Sequence, residues 1–170
     1  MTRIYDISRD LDNGMVGRPG DKDFEIQPNG GGIAAGGPVN TSTIATSSHC
    51  GTHVDAPYHF EQDAPTLEKV DLSAYWGLAQ VVTVSKTKGP LTPADFAGYD
   101  LGRAPRLLVH SPLSAAATAT FHHDFVYPSP ELADYLGQRG VVLYGAASPS
   151  PTTASARPPP RPAPWTRPTR

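Results

Sequence analysis

A single cysteine, Cys50, among 170 residues excludes a disulfide within the chain, and with it the small secreted scaffold stapled by bridges. The expectation that follows is a reducing, cytoplasmic setting. No stretch approaches the roughly 20 apolar residues of a membrane span, and residues 1–7 have no apolar run of signal-peptide length, so no membrane partner is expected. Charge of either sign is also scarce. Fourteen Lys and Arg stand against 16 Asp and Glu, a formal charge of −2, which gives no electrostatic footprint for nucleic acid. What remains, at 38% hydrophobic with 16 Gly and 19 Pro, fits one soluble globular domain and excludes a fibrous or wholly disordered chain.

The deepest absence is local. Residues 146–170 contain no acid and no large aliphatic side chain; they comprise eight Pro, five Ala, four Thr, four Arg, three Ser and one Trp. Such a segment cannot build a core. Residues 1–145 then carry ten bases and 16 acids, a charge of −6, so the near-neutral total is a cancellation between an acidic body and a basic tail. The organisation expected is a mildly acidic globular domain over residues 1–145 and a disordered Pro/Ala/Arg-rich tail over residues 146–170.

Within the body, residues 3–8 alternate as a first strand would, residues 28–38 read as a long loop, and residues 39–47 are Thr-rich with Val39 and Ile44, as a strand requires. Residues 79–85, 106–110 and 140–145 are short β-branched or aliphatic runs between turn signals, the pattern of buried strands. Ser129-Pro130-Glu131 has the form of a helix start, with Ser as N-cap, Pro in the first helical position and an acid in the first turn. Leu132, Tyr135 and Leu136 supply the apolar face, and Gly137 or Gly140 the stop. A strand after such a helix predicts a β-α-β unit in a mixed α/β domain.

The chemistry is concentrated in Ser48-His49-Cys50-Gly51-Thr52-His53-Val54-Asp55-Ala56-Pro57-Tyr58-His59-Phe60. Read as a continuation of the preceding strand, this segment presents His49, Gly51, His53 and Asp55 on one face and Cys50, Thr52 and Val54 on the other. Two imidazoles and a carboxylate suit a borderline divalent cation such as zinc, manganese or iron, with Gly51 leaving room for the ion. Pro57 ends the ladder, and His59 beyond it becomes the acid–base candidate. A metal with three protein ligands keeps a position for water and lowers that water's pKa from 15.7 toward about 7, while a neighbouring imidazole takes or delivers the proton a leaving group needs. Each histidine alone has a structural alternative, and a His pair four residues apart on a helix has the same spacing. Three His and one Asp within eleven residues, out of six His in the chain, favour the metal site. Cys50, on the opposite face, reads as a small core residue; His122-His123-Asp124 reads as an exposed loop and His110 as a structural residue at a strand end.

His49-x-Gly51-Thr52-His53-x-Asp55-x-Pro57-x-His59 resembles the signature of the metal-dependent cyclase family, to which bacterial kynurenine formamidase (arylformamidase) and isatin hydrolase belong. The resemblance extends through Tyr5-Asp-Ile-Ser8, Pro19-Gly-Asp21, Val70-Asp-Leu72, Gly77, Asp124-Phe125 and Arg139-Gly140-Val141. It implies an α/β fold with a mixed β-sheet domain of the cyclase/kynurenine formamidase type, swivelling β/β/α-like, with its C-terminal part missing. It implies His49, His53 and Asp55 as metal ligands, zinc or manganese as the ion, and His59 in proton transfer. The activity implied is metal-dependent hydrolysis of an amide in a small aromatic or cyclic substrate, as in N-formylkynurenine to kynurenine plus formate, a step of tryptophan catabolism. A homodimer is implied as well.

Two departures stand out. Arg18 precedes Pro19-Gly20-Asp21 where formamidases of the family commonly place an aromatic residue that contacts substrate. Family members also continue beyond the equivalent of residues 141–144 and supply a further His and Glu for a two-metal site, whereas nothing after Gly145 here is His, Asp or Glu. The expectation is a chain truncated or frame-shifted after about Gly145, since out-of-frame translation of GC-rich DNA tends to give such a polymer. Two alternatives keep the tail native or the body inactive: Arg157-Pro-Pro-Pro-Arg-Pro-Ala-Pro-Trp165 could form a polyproline II ligand of a partner protein, or the chain is an inactive metal-binding remnant. A sheet edge and apolar surface exposed at residues 141–144 are expected as the physical consequence.

Overall fold

The computed structural model describes residues 3–115 and 120–147, whose contacts gather into two units. The first, residues 3–54 with 120–122, is built on one antiparallel pair, β1 (Glu25–Pro28) and β2 (Ser42–Ala45), in a register that sets Ile26 opposite Ile44. Asn13 lies against β1 as a further strand would: its side-chain Nδ2 donates to the Ile26 carbonyl at 3.2 Å, and its Oδ1 accepts from the Ile26 amide at 2.7 Å. Among the described residues of this unit, Met15 and Phe24 are the buried apolar side chains.

The second unit, residues 55–115 with 123–147, holds the larger core. Three strands form a parallel sheet in the order β3 (Gln80–Thr83), β5 (Arg106–His110), β7 (Leu143–Ala146), with Val82 opposite Val109 and Leu107 opposite Tyr144. The central strand is flanked on both sides, and accordingly its aliphatic run is the most buried of the three. A second parallel pair joins β4 (Gly89–Leu91) to β6 (Val126–Pro128). The helix α1 (Pro130–Gln138) follows β6 and delivers the chain to β7, so the expected β-α-β connection is present. Its start is as the sequence predicts: Ser129 Oγ accepts the Leu132 amide at 3.1 Å, Pro130 opens the helix, and the wholly buried Leu132 and Leu136 face the core with Tyr135 packed alongside. Val82, Leu91, Leu101, Leu107 and Val126 complete that core.

Three expectations are corrected. Residues 3–8 form no strand, and Ile4, Tyr5 and Ile7 are exposed; alternation alone does not make a strand where no ladder partner is at hand. The strand expected over residues 39–47 is the four-residue β2, and it does not run on into the histidine segment. The tail boundary moves, because Ala146 belongs to β7 and pairs with Val109; the tail itself, from residue 148, lies outside the described residues. Among the described residues β7 is an edge strand with Val142 exposed beside it, as expected, and further exposed apolar side chains, Leu72, Trp76, Leu78 and Val81, accompany β3 at the opposite edge of the sheet.

Arg106, at the start of β5, is buried and makes an unusual connection. Its Nε donates to the Ala74 carbonyl at 2.8 Å, its Nη1 to that of Leu78 at 3.3 Å, and its Nη2 to that of Ser73. The single helical turn Leu72–Ala74 and the segment after it are thereby tied to the central strand through one planar fork. Among the described residues, no helix is long and apolar enough to cross a membrane.

Candidate metal centre

The histidine segment begins where β2 ends. Ser47 donates its amide to the Lys22 carbonyl at 2.9 Å, and its hydroxyl accepts the His49 amide at 3.2 Å. Arg18 to Asp21 forms the turn just before Lys22: the Asp21 amide donates to the Arg18 carbonyl at 3.0 Å, with Pro19 second and Gly20, at φ +96°, third, the residues such a turn favours. The Pro-Gly-Asp signature thus anchors the start of the histidine segment.

Residues 48–52 then turn instead of extending. The Cys50 amide closes on the Ser47 carbonyl at 3.2 Å, and Gly51 takes φ +72°, a left-handed conformation that glycine adopts readily. A continuous strand could not have made one site from these residues, because positions four apart on a strand are separated by roughly 13 Å. In the turn, His49 Nδ1 and His53 Nε2 come within 3.3 Å, their rings edge to face. The space left by the missing Gly51 Cβ is not kept for an ion, as the strand reading supposed: an added Cβ would lie 2.4 Å from Leu11 Cδ2.

His53 Nδ1 lies 2.8 Å from the Gly51 carbonyl. A carbonyl can only accept, so this nitrogen carries the proton and Nε2 presents its lone pair toward His49. Metal-ligating histidines are commonly fixed in this way, one nitrogen donating to a backbone carbonyl and the other left for the ion. The spacing agrees with that use, since two nitrogens about 2.0–2.1 Å from one tetrahedral zinc are about 3.3–3.4 Å apart.

Farther along the same continuous run, Pro57–His59 form a single helical turn opened by the proline, and the His59 ring stacks edge to face on Phe60. Asp55 and His59 belong to the second unit, which begins at residue 55, whereas His49 and His53 belong to the first. His49 and Asp55 are half-buried, His53 and His59 exposed. This imidazole and carboxylate donor set suits a divalent cation.

The remaining candidates fall where sequence placed them or nearby. Cys50 is half-buried and points its thiol at the Met15 sulfur, 3.5 Å away, as a packing residue does. His122, His123 and Asp124 lie in a loop, and His110 ends β5. Sequence reasoning passed over Leu11 and Met15, the side chains against the turn, because nothing in their spacing links them to residues 35 or more positions away.

A mixed α/β fold carrying such a donor set defines a metal-dependent hydrolase type of enzyme, and the comparisons with known proteins agree. The Cyclase family model matches residues 5–152, and the chain belongs to that family. It is 36% identical over 150 residues to the kynurenine formamidase of Geobacillus thermodenitrificans, covering 88% of this chain and 70% of that protein. In fold it is similar to isatin hydrolase A from Labrenzia aggregata, with a TM-score of 0.74 at 23% identity over 92% of this chain and 73% of the other. It is also similar to a structure described as a potential metal-dependent hydrolase with cyclase activity, with a TM-score of 0.70 at 22% identity over 89% and 70% of the two chains. These likenesses bear out the mixed α/β cyclase-type fold.

Proposed function

We propose that the chain hydrolyses an amide bond in a small aromatic or cyclic substrate, N-formylkynurenine to kynurenine plus formate being the reaction that its formamidase relative suggests. His49, His53 and Asp55 are the proposed ligands of a divalent cation, zinc before manganese, and His59 the acid–base. The observation that carries the reading is the facing pair of imidazole nitrogens, 3.3 Å apart, with the His53 tautomer set by the Gly51 carbonyl.

When bound, the cation supplies a Lewis acid that polarises a carbonyl and eases ionisation of water. The residues do the rest. The Gly51 carbonyl keeps His53 in the tautomer whose Nε2 is a donor to metal, and the turn holds His49 beside it. His59, exposed on its helical turn, can receive a proton from water and deliver it to the departing amine. Arg18 in the Pro-Gly-Asp turn is exposed and replaces an aromatic contact with a cation, which favours a substrate bearing a carboxylate. A small-molecule substrate, a homodimer and a cytoplasmic location complete the proposal.

The test is hydrolysis of N-formylkynurenine by the purified chain loaded with zinc or manganese, followed beside zinc titration calorimetry. Chelation and His53→Ala are expected to abolish turnover and tight binding together, whereas His59→Ala lowers the rate and shifts the pH profile. Equal zinc binding by His53→Ala and the parent protein would sink the ligand assignment.

A further inference from the structure

We infer that residues 9–15 are a positioning segment for the imidazole pair, with Leu11, Met15 and the hydroxyl of Thr52 as the positioning groups. The inference rests on the metal reading above and adds to it residues that touch no ligand atom of the pair.

Three independent contacts bring this segment onto the turn. The Arg9 amide donates to Thr52 Oγ1 at 2.9 Å across 43 residues of sequence, fixing the residue between Gly51 and His53. Leu11 Cδ2 occupies the place of a side chain at Gly51, so the left-handed peptide whose carbonyl fixes the His53 tautomer is packed from outside by an aliphatic group. The buried Met15 holds the Cys50 thiol at 3.5 Å, immediately after His49. The segment is itself braced, because Asn13, between Leu11 and Met15, makes its two hydrogen bonds to Ile26 of β1. Local turns add to the brace: the Gly14 amide donates to Asp12 Oδ1 and the Met15 amide to the Asp12 carbonyl.

The physical consequence follows from how a turn fails. Gly51 reaches left-handed and extended conformations with similar ease, so its own preference does not keep this peptide turned, and the local hydrogen bonds of the turn need support from outside it. Were it to relax toward the extended form, the separation of residues 49 and 53 would grow toward roughly 13 Å and the pair could not share an ion. Leu11, Met15 and the Arg9–Thr52 hydrogen bond select the turned form, and the metal-free protein thereby arrives with its donors already placed.

The experiment compares the full chain with Leu11→Ala, Thr52→Val and Thr52→Ser by zinc calorimetry and by the visible ligand-field spectrum of the cobalt(II) protein, with His53→Ala as reference. Thr52→Val removes only the accepting hydroxyl, and Leu11 is half exposed, so thermal unfolding of the metal-free variants is expected near that of the parent. Both variants are expected to bind zinc roughly tenfold more weakly and to alter the cobalt bands, as loss of supporting groups around a metal does, and Thr52→Ser is expected to restore both. Parent-like affinity and spectrum in Leu11→Ala and Thr52→Val, with binding lost in His53→Ala, would overturn the positioning role and leave the metal reading standing. No difference between His53→Ala and the parent would overturn the metal reading, and the positioning role with it.

Discussion

Replacing Arg106 by Met tests whether one buried guanidinium organises the loop beside the parallel sheet. Methionine keeps most of the aliphatic stem and removes the N–H groups that serve the carbonyls of Ser73, Ala74 and Leu78. Two effects oppose each other. Burying a charge costs several kcal/mol, and among the described residues no carboxylate pairs with Arg106, so its removal recovers part of that cost. Against this, each buried carbonyl left without a donor costs about 1–3 kcal/mol. The exposed Leu78 can turn its carbonyl to water, but Ala74 is buried, and Nε comes to its oxygen at 2.8 Å. Gly77 adds a constraint: at φ +137° an added Cβ would lie 2.8 Å from Arg106 Nη1, so the loop is shaped closely around the fork.

Ser73 is exposed as well, so the Ala74 carbonyl is the one orphaned in the interior, and with part of its cost offset by the recovered charge a net loss of about 1–2 kcal/mol is expected. For a chain of this size that lowers the melting temperature by roughly 2–8 °C. Arg106→Lys should retain part of the stability, since one ammonium cannot span three carbonyls in the same plane. Denaturant unfolding gives the free energy, and hydrogen exchange at residues 73–78 locates the loss. Gly77→Ala should destabilise by disturbing the same fork and combine with Arg106→Met less than additively. Parent-like stability of Arg106→Met, within about 0.5 kcal/mol, would refute the reasoning that orphaned carbonyls decide the balance.

Tyr144 offers the opposite sign. Its hydroxyl is buried with no hydrogen-bond partner among the described residues, so Tyr144→Phe should stabilise by about 1 kcal/mol, read as a higher denaturant midpoint at unchanged slope. Burial also pushes the phenol pKa well above its ordinary value near 10. Above that pH the unfolded chain releases the proton while the folded chain keeps it, so stability falls as pH rises, and Tyr144→Phe should remove this part of the alkaline slope. Gly51→Ala should cost about 1–2 kcal/mol for the left-handed backbone, and Gly51→Ala with Leu11→Ala should relieve the side-chain overlap while leaving that backbone cost, as thermal melts of the metal-free proteins would show.

Elements whose stability is local were legible. Ser129, Pro130 and the Leu132–Leu136 spacing specify α1 within nine residues, and the aliphatic run at residues 106–110 could hardly be anything but a central strand. Elements that exist only through a distant partner were not. β4 and β6 each contain a proline and are three residues long; they pair in parallel across more than thirty residues, and neither has a pattern of its own. Residues 3–8 show the converse, a good alternating pattern with no ladder. Arg106 belongs with the illegible features, because a guanidinium bound to carbonyls needs no acidic residue at any spacing to announce it.

The histidine segment divides along the same line, and the division says what builds the site. Composition gave the donors, since His, His and Asp in seven residues satisfy a divalent cation whatever the backbone does. Period-two alternation then put them on one face, which is necessary for a shared ion but insufficient, because a face is long and an ion is small. What closes the gap is a glycine whose left-handed φ no periodicity reveals, held by a leucine forty positions earlier. The carbonyl that this turned peptide exposes also fixes the His53 proton, so backbone conformation sets both the distance between the nitrogens and which of them is the donor. Such a site should respond more sharply to changes at Gly51, Leu11 and Thr52 than to changes in β2, whose side chains are exposed.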